Sequence, residues 1–200
     1  MASQIEIINY AAGKVGAETT LTDLLENNKL ARTAAVVWPL ALDATLAASP
    51  WNFAMARAAL PALSSAPAFG YALQYQRPTD LLRLVEINDV HVWNLFPGSD
   101  APYSYEGDKI LTDMGAPLRL RYVRRVTDPT LFSPKFVEAF AFKLAMEFAL
   151  PVTESEATRQ AMETAFLAEV NEAKGIDGRE NPPEIPDEDD WIMARCMDVL

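Results

Sequence analysis

The chain has 200 residues and a formal net charge of −11; half of its residues are apolar and 22% are charged. This composition excludes wholesale disorder, and the length is enough for one substantial core or two closely packed layers. The negative charge disfavours tight binding of nucleic acid, which depends mainly on Lys and Arg, but it does not exclude a surface past which DNA slides.

The single cysteine, Cys196, excludes an internal disulfide, and the chain has no Cys/His cluster for structural zinc. We therefore expect no metal and no cofactor. The first ten residues lack the basic and apolar regions of a signal peptide, so secretion by that route is not expected. The apolar run from Thr33 to Leu42 is shorter than the roughly 20 residues of a membrane span, which predicts a buried helix and no membrane anchor.

Two helices are predicted at the start of the chain. Ser3 and Glu6 have the spacing of a capping box, and apolar residues recur behind them at helical intervals, which predicts a helix over about 4–15. A turn or short helix leads to an alanine-rich helix over about 29–48. Pro39 in its interior removes one backbone hydrogen bond and should kink that helix.

Antiparallel strands are predicted for the middle of the chain. Alternation of Trp51, Phe53 and Met55 favours a strand over 51–60, although the alanines there favour a helix; our prediction is the strand. Further short apolar segments separated by turn residues predict more strands. Gly107 with its neighbour Asp108 marks one hairpin turn, flanked by strands at 103–106 and 109–112.

The hydrophobic period changes from strand to helix within residues 103–150. From Leu118 to Val126 the side chains alternate, with Leu118, Leu120, Tyr122, Arg124 and Val126 on one face and Arg119, Arg121, Val123 and Arg125 on the other. Ser133 can cap the following helix and Pro134 suits its first position. The apolar stripe of that helix is Phe136, Phe140, Leu144 and Phe148.

The last part of the chain is predicted to be a helix followed by an arm. Thr153 and Glu156 repeat the capping-box spacing, and the helix should end at Gly175. Residues 176–200 are acidic and contain three prolines, which predicts an extended arm. Its apolar end offers three anchors for docking onto this chain or a partner: Trp191, Ile192 and Met193.

These elements predict an α+β fold. A helical bundle would comprise 1–50 and 130–175, an inserted antiparallel β-sheet domain would comprise 51–129, and the arm would comprise 176–200.

Catalytic motifs are scarce. No phosphate-binding glycine loop occurs, and the sole histidine, His91, lies in an alternating strand pattern, where an ordinary structural histidine is expected. The chain is therefore predicted not to be an enzyme. A carboxylate pair acting on polysaccharide is the alternative, with Glu106, Asp108 and Asp113 as the candidates.

Five segments occur in an order that resembles one known family. They are PWNFA at 50–54, FGYALQYQRPTDLLRL at 69–84, YEGDKILTD at 105–113, LRLRYVRRVTDP at 118–129 and FVEAFAFKLAMEFA at 136–149. Their order and spacing resemble the tail tubular protein A family of short-tailed bacteriophages over about residues 4–174. The family's acid-rich ending is less regular, so the resemblance implies nothing for residues beyond about Gly175.

The resemblance implies a structural virion protein of the phage tail, assembled in the host cytoplasm and involved in DNA ejection. It implies a head-to-tail adaptor or gatekeeper that forms a dodecameric ring between the portal protein and the tail nozzle, which is built from a tail tubular protein B-like partner. It also implies a helical bundle with a β-sheet domain. A cytosolic scaffold unrelated to phages is the other reading.

A passive channel would suit an acidic chain, because like charge weakens the attachment of passing DNA to the wall. Arg119, Arg121, Arg124 and Arg125 are candidates for ion pairs between subunits; a basic band against DNA and a solvated face are the other readings. Phe136 and Phe140 are also candidates for the subunit interface, although a stripe at helical spacing more often forms the core.

Overall fold

The structure is a computed structural model that describes residues 2–92 and 103–180, with the backbone alone for 177–180. The helices in these ranges are α1 (Gln4–Lys14), α2 (Lys29–Ala48), α3 (Pro134–Phe148) and α4 (Glu156–Glu180). The strands are β1 (Met55–Leu60), β2 (Leu73–Gln76), β3 (Leu81–Ile87), β4 (Val90–His91), β5 (Tyr103–Glu106), β6 (Lys109–Thr112) and β7 (Leu118–Arg124).

All strand pairs are antiparallel and form two sheets. The four-stranded sheet has the order β1-β7-β3-β4, and the three-stranded sheet has the order β2-β6-β5. Every described strand lies within 51–129, and the helices flank that segment in sequence. The α+β fold with an inserted antiparallel β region is therefore confirmed.

The larger of two apolar cores lies among the helices. Phe136, Phe140, Leu144 and Phe148 of α3 are all fully buried there. The indole of Trp38 meets the Phe140 ring edge-on, with 4.8 Å between the ring centroids. Such aromatic pairs add to the free energy of burial. Helix α3 packs against α1, α2 and α4, so it is the central element of the bundle.

The smaller core lies in the β region and includes Tyr75, Ile87, Ile110 and Leu118. Tyr75 of β2 is fully buried, and its hydroxyl donates a hydrogen bond of 2.7 Å to the carbonyl oxygen of Met114. The bond satisfies the one polar atom of this side chain.

Strand β7 contributes to both cores. Leu118, Leu120 and Tyr122 share the smaller core, as the alternation predicted, whereas Val126 lies beyond the end of β7 and belongs to the helical core. Val123 points to the opposite face and belongs to the helical core. Because side chains alternate along a strand, this one strand joins the sheet to the bundle.

Local signals placed several boundaries correctly. The Ser3 N–H donates to the Glu6 carboxylate at 2.7 Å and the Glu6 N–H donates to the Ser3 hydroxyl at 3.2 Å, which is the expected capping box. Helix α2 continues through Pro39 as one helix. The Ser133 hydroxyl caps α3, with Pro134 in its first turn.

The predicted start of the strand over 51–60 was wrong. The strand begins only at Met55, after one 3-10 turn at Asn52–Ala54.

Both predicted ends of α4 were wrong. Thr153 belongs to a π-helical turn at Ala149–Thr153 and donates its hydroxyl to the Ala149 carbonyl at 2.7 Å. Ser155 accepts from the Thr158 N–H at 3.1 Å instead, so it takes the capping role. At the other end α4 continues through Gly175 to Glu180, so the first five residues of the predicted arm are helical.

Helix α2 is long and apolar enough to cross a membrane by length and composition, with a mean hydropathy of 1.2 in its most apolar window. The sequence prediction considered only the shorter run within it. Trp38, Leu42 and Leu46 of α2 pack in the helical core, and the central helix of a folded domain satisfies the same criteria.

Candidate interaction surfaces

A row of charged side chains crosses the face of the four-stranded sheet that is opposite the smaller core. Arg57 of β1 lies opposite Arg121 of β7, and Arg121 lies opposite Glu86 of β3. Two arginines directly opposite each other repel, whereas Glu86 on the next strand attracts Arg121. The Arg121 guanidinium donates to the Glu86 carboxylate at 2.9 Å, with both side chains partly exposed.

The turn between β3 and β4 supplies a second carboxylate. Asn88 and Asp89 both have positive φ, at 48° and 67°, which is the backbone geometry of a tight two-residue hairpin. The turn is held against β7 because the Arg119 N–H donates to the Asn88 amide oxygen at 3.0 Å. Asp89 therefore lies beside Arg119, with 2.7 Å between their charged atoms, and both side chains are mostly exposed.

These residues line a shallow groove of about 290 Å³ that we call the arginine groove, defined by Arg57, Ala59, Glu86, Asp89, Arg119 and Arg121. Three positive charges face two negative ones. Arg57 is exposed and has no ion-pair partner in the part of the chain that the structure describes. The groove is therefore a locally positive surface on an acidic chain.

The four arginines predicted as interface residues do not act as one set. Arg119 and Arg121 line the arginine groove, whereas Arg125 pairs with Asp43 of α2. Arg124 is exposed, and the described ranges contain no ion pair for it. Three of the four thus pair within the chain, and contact with another subunit stays a prediction for this face.

The prediction that Phe136 and Phe140 form a subunit interface was wrong. Both side chains are fully buried in the chain's own helical core. Phe136 also packs edge-on against Trp51, with 5.0 Å between the ring centroids. Neither ring is at a surface that another subunit can contact. The predicted arm anchors Trp191, Ile192 and Met193 lie outside the described residues.

An apolar surface is present elsewhere, on the outer side of α2. Val36 and Leu40 are one helical turn apart, and their exposed fractions are 68% and 69%. Ala44 continues the stripe one turn further along. We call Val36, Leu40 and Ala44 the α2 stripe. Lys143 and Glu147 of α3 border it and pair with each other at 3.1 Å.

The carboxylates considered for glycan hydrolysis lie at the three-stranded sheet. Glu106 and Asp108 are exposed and line an open depression of about 520 Å³ with Phe69. A hydrogen bond from the Gln76 side chain lowers the pKa of Asp108, at a distance of 3.0 Å. A general acid of a glycosidase needs a raised pKa, so Asp108 does not suit that role. Asp113 accepts from the Ala72 N–H at 2.7 Å and so links the start of β2 to the end of β6.

His91 lies at the edge of the four-stranded sheet opposite Glu86. Burial lowers its pKa, and the neighbouring Glu86 carboxylate opposes that shift. Among residues 2–92 and 103–180 there is no cluster of three His, Cys, Asp or Glu side chains that could hold a metal ion.

Sequence reasoning missed Arg57, Glu86 and Asp89 as members of the charged surface. The alternation in MARAAL at 55–60 could have placed Arg57 on an exposed strand face. Asn88 and Asp89 are of the residue types that tolerate the positive φ of hairpin turns. Their partners could not be found in this way, because pairing between distant strands is not contained in local periodicity.

Comparison with protein-family models gives no match to this chain, and neither does comparison with curated proteins.

Proposed function

We propose that this chain is a structural subunit of a bacteriophage tail, an adaptor that closes into a ring between the portal protein and the tail nozzle. The proposal starts from the resemblance of five ordered segments to the tail tubular protein A family. The structural observation that carries it further is the exposed α2 stripe. An exposed apolar surface of this kind is more typical of a contact with another protein than of a substrate-binding site.

The α2 stripe suits a contact between protein subunits. Contiguous exposed apolar patches often mark interaction sites, and Val36 and Leu40 are neighbours on one face of the helix. The opposite face of α2 is anchored by Trp38 and Leu42 in the helical core, so the stripe is held on a rigid element. A ring requires a heterologous interface, in which the stripe of one subunit meets a different surface of the next.

The charge of the chain suits a passive conduit. A formal charge of −11 on each subunit repels the phosphate backbone, so DNA passing through a ring of such subunits would be held weakly. In this proposal the chain positions the portal and nozzle and performs no chemical step on DNA. Asp108 does not suit the general acid of the carboxylate-pair alternative, because its pKa is lowered and not raised.

Electron microscopy of the purified chain, alone and with a phage portal ring, tests the proposal. We expect closed rings that stack coaxially on the portal. A chain that stays monomeric with the portal, at concentrations where the portal itself is a ring, contradicts the adaptor function. Release of reducing sugar from host capsule by the unmodified chain would favour the hydrolase instead.

A further inference from the structure

The helical bundle covers only part of the four-stranded sheet. At one end of the outer face, Met55 of β1 and Val123 of β7 pack against the helical core. At the other end the same two strands carry Arg57 and Arg119, which are exposed. Arg119 is four residues from Val123, or roughly 13 Å along an extended strand. The arginine groove is thus an uncovered sheet face directly beside the bundle.

Helix α4 runs back along α3 toward this side of the molecule. Lys135, in the first turn of α3, binds Glu138 and also Glu172 of α4, each at 3.0 Å. The N-terminal end of α3 is the end nearer the sheet, because Phe136 packs on Trp51 and Phe53 just before β1. From Glu172 to its end at Glu180, α4 extends roughly 12 Å further. The chain therefore leaves the bundle beyond the N-terminal end of α3, which is the end nearer the sheet.

The residues that follow α4 in sequence are negatively charged, which complements the positive charge of the arginine groove. Between 184 and 190 the sequence is EIPDEDD, which contains five carboxylates and no basic residue. We call residues 184–190 the acidic segment. Its middle residue, Asp187, is seven residues beyond Glu180, so an extended chain reaches roughly 23 Å past the end of α4. That reach exceeds the roughly 13 Å that separate Val123 from Arg119 along β7.

The geometry points to the acidic segment of the arm as the occupant of the arginine groove of its own chain. Its carboxylates pair there with Arg57 and with the outward-facing sides of Arg119 and Arg121. Guanidinium groups bind carboxylates through paired N–H donors, and Arg57 makes no ion pair among residues 2–92 and 103–180. The contact concerns the single chain and does not depend on ring formation.

Tethering favours the chain's own arm over the arm of another molecule. A segment joined by a short linker meets its site at an effective concentration of about millimolar, well above that of a dilute protein solution. Each exposed ion pair contributes little by itself, but several carboxylates on one tethered segment act together. Because the pairs are exposed, salt should weaken the contact.

The single cysteine provides a probe that needs no engineering. A nitroxide spin label on Cys196 sits six residues beyond the acidic segment. In the full-length chain labelled with nitrogen-15, we expect the label to broaden the amide signals of Arg57, Ala59 and Arg119. Reduction of the nitroxide should restore those signals, and raising the salt concentration to 1 M should remove most of the broadening in the unaltered chain.

Two matched variants locate the contact. Arg57→Glu with Arg119→Glu reverses the charge of the arginine groove, and we expect it to lose the broadening of β1 and β7. Arg32→Glu with Arg124→Glu makes the same change of net charge at exposed positions outside the groove, and it should keep the broadening. Amide spectra of both variants show whether the fold is retained.

Equal broadening in the two variants would overturn the inference, as would its absence from the unaltered chain at low salt. A mixing experiment separates the chain's own arm from that of another molecule. One chain carries the spin label but no nitrogen-15, and the other carries nitrogen-15 but no spin label. If the groove signals of the second are broadened as strongly as when both labels are on one chain, the arm binds between molecules and the inference is wrong. The salt titration uses the unaltered chain, so it decides the matter even if a variant unfolds.

Discussion

Arg125 and Asp43 are 82 positions apart in sequence, and their side chains meet, with the guanidinium Nε donating to the carboxylate at 2.8 Å. Asp43 lies on α2, and Arg125 directly follows β7. The neighbouring Arg83 of β3 donates to the carbonyl oxygens of Ala47 and Ala48, the last residues of α2, each at 3.2 Å. These contacts fix the bundle to the sheet at the C-terminal end of α2, where positive charge is favourable.

The ion pair between Asp43 and Arg125 is expected to make a small, measurable contribution to stability. In a double-mutant cycle with Asp43→Asn and Arg125→Gln, the coupling free energy from urea unfolding should be about 0.5–1 kcal/mol and fall in 1 M salt. The pair of Asp89 and Arg119 is a matched control, because both its side chains are mostly exposed. Its coupling should be close to zero, and a value equal to the first contradicts this ranking.

Replacing Phe140 by Ala should greatly destabilise the chain. Its ring is fully buried between Trp38, Phe132 and Phe136, so the substitution leaves a cavity and should lower the free energy of unfolding by about 3–5 kcal/mol. Leu40→Ala, at an exposed position, should change it by less than about 0.5 kcal/mol. Denaturant unfolding compares the two. Similar losses would mean that the burial of α3 is not as described.

Charge on the α2 stripe should prevent ring formation without unfolding the chain. We expect Val36→Lys with Leu40→Lys to abolish association, because a subunit contact would then bury lysines without partners. Leu25→Lys is the control, since Leu25 is 91% exposed in the turn before α2. Native mass spectrometry with portal present measures the assembly, and circular dichroism measures the fold. Rings formed equally well by all the proteins would exclude the stripe from the interface.

Acid should weaken the capping box of α1. The Ser3 backbone N–H, and then its hydroxyl, lower the pKa of Glu6 below its ordinary value. Glu6 therefore binds a proton more readily in the unfolded chain, and its contribution is present above the ordinary glutamate pKa and is lost as the pH falls through the lowered value. In NMR titrations Glu6 should titrate below a glutamate in the unfolded chain, and Ser3→Ala should move its pKa upward. An unmoved pKa in Ser3→Ala would show that the hydroxyl contributes nothing.

Local sequence signals predicted the types of the helices and strands well. They did not predict which residues distant in sequence pair with each other. The Ser3 box, the Ser133 cap with Pro134 and the hairpin at 103–112 depend on residues within a few positions of one another, so the sequence contains the whole interaction. The start of α4 was misplaced because Thr153 and Ser155 are both credible caps. The π-helical turn that ends α3 lets Thr153 bind the Ala149 carbonyl and leaves the capping role to Ser155.

The sequence by itself determined the α+β class and the existence of an apolar stripe on α3, since both follow from the hydrophobic period. Only the tertiary structure decided that β7 lies between β1 and β3, and hence that Arg121 faces both Arg57 and Glu86. It also decided that Phe136 and Phe140 form the core, while Val36 and Leu40 form the exposed surface. The reason is physical: a period shows which side chains share a face, but only packing shows which face is covered.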